Sequence, residues 1–120
     1  MRTPYLMKGR DHSGIDCLGV VWMIQNEWRG AELPDPWTLI GEAFDRGESF
    51  DVQTGLPDTW RRVRKGPPID GDILIFEGDH VWSATIHDSH IWSAHANVGV
   101  WCKPFSRFSK TPKEVWRCYQ

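Results

Sequence analysis

Cys17 stands in the stretch "SGIDCLGVVWMI", directly after Asp16, with Gly14 before it and Gly19 after it. A thiol attacks a carbonyl carbon only as the thiolate, and a helix N-terminus favours that form through its unpaired N–H groups and macrodipole. The apolar residues Leu18, Val21, Trp22, Met23 and Ile24 run toward Gly30, so the spacing predicts a helix over about 17–28, capped by Asp16 or Ser13, with Cys17 at its start. Gly14 and Gly19 let backbone approach a substrate closely, and the N–H of Cys17 is placed to help hold an oxyanion. The competing reading of such a residue is a small buried hydrophobe, the commoner fate of an intracellular cysteine.

A nucleophile of this kind needs a base. His80 opens "HVWSATI" directly after "GDILIF" and its turn, which holds it rigidly at a sheet end. A third polar group on the next strand, "SHIWSAH", orients the imidazole in such constellations, and Ser93 and His95 share one face of that strand. An even loop around "IHDS" sets His80 opposite His95, with Ser93 one step along the same face, whereas an odd loop brings Trp92 and Ala94 beside His80. The even loop is therefore expected, with His95 or Ser93 as the orienting group. His87 and His90 belong to the turn and His12 to a loop; the histidine spacing fits no HxxxH motif, and no metal is expected.

The elements that must position these groups follow from the pattern on either side. "LPDPWTLIGEAFDRG" places Asp35 as an N-cap, Pro36 at the first helical position and Gly47 as the stop of a second helix. "LPDTWRRVRKG" repeats that grammar for a short third helix, with Arg61, Arg62, Arg64 and Lys65 as its solvated basic face. After "GPPIDGD" the runs "DILIF", "HVWSATI", "SHIWSAH" and "VGVWC" read as consecutive antiparallel strands, and "KEVWRCYQ" as a last one. N-terminal helices packed on a C-terminal antiparallel sheet of about five strands, without βαβ alternation, make the class α+β. A chain of 120 residues holds a single domain, 1–120.

Composition narrows the partners. Lys and Arg number 14 against 16 Asp and Glu, so the chain lacks the basic excess of a nucleic-acid binder. The apolar run "VVWMI" is far too short to cross a membrane, and "MRTPYLMKGRDH" has no secretory signal, so synthesis in a cytoplasm without membrane insertion is expected. Cys102 and Cys118 fall on late strands and read as buried thiols. Among the eight Trp, residues 22, 28, 101 and 116 read as core, while Trp82 and Trp92 are equally compatible with core packing and with the wall of a groove.

In this chain order the residues resemble the NlpC/p60 superfamily of papain-like cell-wall cysteine peptidases, over nearly the whole chain. "TPYLMKG" resembles the opening Tyr-x-Trp-Gly-Gly block, with Tyr5 and Gly9 in place. "GIDCLGVV" resembles Gly-x-Asp-Cys-Ser-Gly, with Leu18 for the usual Ser. "GDILIFEGDHVWSATI" and "IWSAHANVGV" resemble the Gly-Asp-Leu-x-x-Phe, His-Val-Gly-Ile-Tyr and Ile-His-Ala strands. The resemblance implies Cys17 as nucleophile, His80 as general base and later acid, Tyr5 on the substrate or oxyanion side, and Asp16 shaping the nucleophile's turn. Ser93 stands where the family has His, with His95 two residues on; Met7, Lys8 and Trp82 also depart from the pattern and imply a reshaped groove.

What the resemblance implies in function is hydrolysis of an amide bond in peptidoglycan stem peptides, such as that between D-glutamate and diaminopimelate, with no cofactor. The compact form and the "ELPDPW" stretch resemble peptidase domains of phage tails, which implies a place in a virion tail tip among other tail-tip proteins. Two alternatives use the same scaffold. One is a structural tail-tip or assembly subunit with weak or no catalysis; the other is an acyltransferase with the same Cys and His that keeps water from the thioester.

Overall fold

Short β-branched and aromatic runs between turn residues build a six-stranded antiparallel sheet in the computed structural model, which describes residues 10–11, 14–15, 17–34, 56–77, 81–95 and 98–119. A two-stranded ribbon of β1 (Arg10–Asp11) and β2 (Gly14–Ile15) leads into helix α1 (Cys17–Met23), which continues as a π-helical stretch over Ile24–Trp28. There follow β3 (Trp60–Arg62), β4 (Ile73–Glu77), β5 (Val81–His87), β6 (His90–His95) and β7 (Gly99–Pro104). A 3-10 turn at Phe105–Arg107 precedes β8 (Glu114–Cys118). The sheet order β3-β8-β4-β5-β6-β7 makes β4 to β7 a meander, with β8 returning to the far side of β4.

The first helix covers the range expected for it, and the five expected strands all form. The sixth strand is a correction. Residues 56–66 were expected to be a short helix, but Asp58 and Thr59 lie in a turn, with Trp60 N–H donating to Pro57 O at 3.0 Å, and β3 follows at once. Pairing with β8, Trp60 against Cys118 and Arg62 against Trp116, satisfies the backbone and buries Trp60 beside Ile73, Ile75 and Trp116. Tertiary burial of this kind overrides a local capping signal. The second expected helix, 35–47, lies outside the described residues, so the described chain carries one helix rather than several.

Alternation gives the sheet two apolar faces. On one, Ala94 and Val100 pack with Val20, Met23 and Ile24, and Ile73 and Ile75 pack with Val21, so the helix covers this side. On the other, Leu74, Phe76, Trp82, Ala84, Ile86 and Ile91 form a cluster closed over by Trp101, Phe105, Phe108 and Val115.

Polar bonds register the helix on the sheet. Gln25, buried at the start of the π-helical stretch, donates from Nε2 to Thr85 Oγ1 and to Gly71 O, both at 2.9 Å. Thr85 Oγ1 donates in turn to Asp72 O at 2.8 Å. The Asp72 carboxylate is fully buried, takes two bonds of 2.8 Å from Arg117, and accepts the Ile69 N–H at 2.9 Å. Hydrogen bonding to Asp72, partly opposed by desolvation, holds the Arg117 guanidinium above the ordinary arginine range, so it keeps its charge. Gly71 takes φ +93°, with Arg29 packed where a Cβ would stand, and frees its carbonyl for Gln25.

Breaking a buried ion pair from one side strands the other charge. Asp72→Ala is therefore expected to lower the stability of the fold by about 3 kcal/mol or more, read from urea unfolding.

Candidate functional site

Asp88 and Ser89, at φ +53° and +61°, close β5 onto β6 in a two-residue turn whose left-handed pair suits the twist of a sheet. Asp70 Oδ1 accepts the Ser89 N–H at 2.9 Å and fixes the turn to the loop before β4. The even loop expected from sequence is formed, with Thr85 opposite Trp92, Ile86 opposite Ile91 and His87 opposite His90. The turn falls one residue beyond a loop centred on His87 and Asp88, and each partner therefore shifts by two. Continued along the strands, that register brings Trp82 across from His95, and their rings meet edge to face at 4.9 Å. His80 itself lies outside the described residues, as do Tyr5, Asp16 and His12.

His95 is half-buried in an aromatic setting. Its ring also lies 5.3 Å from Trp101, while Trp82 stacks on Phe76 at 4.2 Å and Trp101 runs nearly parallel to Phe108 at 6.1 Å. Lys110 Nζ stands 5.7 Å from the Trp82 ring and Lys103 Nζ 5.5 Å from that of Trp101, a cation over each indole. Cys17, the first residue of α1, is half-buried and packs against the cluster that holds Trp82. Cys17 and His95 therefore border the same aromatic cluster. Ser93 is fully buried and its Oγ donates to Ser83 O at 2.6 Å, so its proton is held by backbone.

The two ambiguous tryptophans separate by face. Trp82 is core, whereas Trp92 packs on the helix side, donates from Nε1 to His87 O at 3.3 Å and meets Trp28 in a T-shaped pair at 5.1 Å. They are not two walls of one groove. Cys102 is exposed on the edge strand β7 rather than buried, and Cys118 is half-buried on β8. With β4, β5 and β6 between them, these two thiols do not meet. Among the described residues no three His, Cys, Asp or Glu side chains converge as a metal site. Trp101, Phe108, Lys103 and Lys110 were not singled out by sequence reasoning as neighbours of the site; the aromatic–basic alternation in "WCKPFSRFSK" was the available signal.

No family model and no curated protein matches the chain. Among solved structures, the crystal structure of the NlpC/p60 domain of the peptidoglycan hydrolase SagA matches with a TM-score of 0.57 at 18% identity, over 96% of this chain and 86% of that one. The chain has the NlpC/p60 fold. In this NlpC/p60 fold the cysteine begins the helix and the meander lies beneath it, the chain order that the sequence blocks led us to expect. The six-stranded sheet and the buried Trp82 give the aromatic cluster beside Cys17 its own shape.

Trp82 carries much of that packing. Trp82→Ala is expected to cost about 3–5 kcal/mol and Trp82→Phe clearly less, whereas Ser93→Ala, which removes one buried hydrogen bond, should cost about 1 kcal/mol. Urea unfolding of the three variants checks the order.

Proposed function

We propose that this chain is a peptidoglycan hydrolase, a cysteine peptidase or amidase that cuts an amide bond in the stem peptide. The observation that carries the reading is an NlpC/p60 fold whose helix begins with a half-buried cysteine seated on the cluster that His95 borders. In the first step the Cys17 thiolate adds to the amide carbonyl, its proton having passed to His80. The oxyanion rests on backbone N–H groups at the helix start, that of Cys17 among them. His80 then protonates the leaving amine as the C–N bond breaks, leaving a thioester. Water, deprotonated by His80, adds to the thioester, and its collapse releases the acid and restores the thiol.

The supporting roles follow the same reading. Of the two groups put forward to orient His80, His95 is half-buried beside the cysteine's cluster, while Ser93 is sealed in with its proton given to Ser83 O, which favours His95. Tyr5 on the substrate or oxyanion side and Asp16 before the nucleophile come from the sequence resemblance. Trp82, being buried, shapes the groove by backing His95. These steps use no cofactor. Delivery to the wall in a phage tail tip, among partner tail proteins, rests on the likeness of "ELPDPW" to tail peptidase domains. The second reading is a structural tail subunit, favoured by the bulk of Trp82 where the family carries glycine.

The test is digestion of diaminopimelate-type peptidoglycan by the wild type and by Cys17→Ala, with released muropeptides identified by mass spectrometry. A stem cleavage reduced by about a thousand-fold or more in the variant is expected. A folded wild type that releases nothing would favour the structural subunit.

A further inference from the structure

The basic run of residues 61–65 begins on a strand, with Arg61 and Arg62 in β3. On β3 and just after it, at the edge of the described sheet, Arg61, Arg62 and Arg64 line a groove of about 480 Å³ together with Asp58, Trp60, Glu114 and Trp116. Among the described residues the side chains of Arg61 and Arg64 have no hydrogen-bond or ion-pair partner, and that of Arg62 makes one long contact, from Nη2 to Lys113 O at 3.4 Å. Glu114 accepts the Trp116 indole N–H at Oε1, 2.9 Å, which leaves its second oxygen uncommitted among those residues. Three guanidiniums against two carboxylates leave one positive charge in excess.

We propose that this groove binds a phosphate group carried on a small hydroxylated body, a polyol or sugar phosphate. Guanidinium forks match phosphate oxygens two at a time, and a phosphate has enough oxygens to engage more than one arginine, whereas a carboxylate is filled by one. Asp58 and Glu114 supply acceptors for hydroxyl groups, which an inorganic anion would not use. The volume falls in the range of small-ligand sites. The groove is separate from the cysteine: Trp60 and Trp116 belong to the cluster around Ile73 and Ile75, and Cys17 packs against the other. The inference therefore stands apart from the proposed hydrolysis.

The ligand has two possible sources, a free phosphomonoester or the phosphodiester repeat of a polymer, and two probes separate them. The full chain is titrated with glycerol 3-phosphate, glycerophosphoglycerol and glycerol, following the indole N–H resonances of Trp60 and Trp116. Saturable shifts with a phosphate probe and none with glycerol are expected, with binding about ten-fold or more weaker in Arg61→Ala/Arg64→Ala and intermediate in Arg61→Lys/Arg64→Lys. The tighter of the two phosphate probes identifies the source. Both arginines are exposed, so the alanine variant should keep the wild-type spectrum away from the groove. No saturable shift with either phosphate, equal shifts with glycerol, or unchanged affinity in the alanine variant would overturn the proposal.

Discussion

A carboxylate without exposed surface, Asp72, ties the helix to the sheet. Burying a charge is costly unless a partner and hydrogen bonds meet it, and Asp72 has the Arg117 fork from β8 together with the Ile69 N–H. Its own carbonyl accepts from Thr85 Oγ1 and from the Ile86 N–H, and Thr85 accepts from Gln25 on the helix. One ion pair thus joins β8, β4, β5 and the helical segment. The start of that segment is Cys17.

Above this frame the sheet works as a two-sided plate. One side is spent on the helix, whose Val20, Val21, Met23 and Ile24 fill it. The other side sets Trp82 and Trp101 against His95, backed by Phe76 and Phe108, and Cys17 closes on the same cluster. Large rings packed around it restrict the orientation of a neighbouring imidazole.

The strands were legible because period-two runs of β-branched and aromatic residues have few other uses. The helix start was legible from Asp16, Cys17 and the glycines, yet the switch to π-helical winding at Ile24 was not, because the bonds of Gln25 reach partners remote in sequence. The same limit hid β3. Pro57 and Asp58 form a local capping signal, while the pairing that overrules it lies on the last strand. The hairpin was read with the right parity and the wrong centre, since sequence did not show which two residues take positive φ. Asp88 and Ser89 take it, and that choice moved His95 next to Trp82. "GDILIF" was legible as a motif, but that its aspartate is the buried anchor emerged only with Arg117 beside it.

The central claim is that Cys17 is a thiol activated by His80, and alkylation kinetics test it most directly. Iodoacetamide labelling at neutral pH, followed peptide by peptide in the wild type and in His80→Ala, compares half-buried Cys17 with exposed Cys102 in one chain. The account predicts that Cys17 labels faster than Cys102 despite its lower exposure, and that the advantage disappears in the variant. Slower labelling of Cys17 than of Cys102 in the wild type, unchanged in His80→Ala, would contradict it.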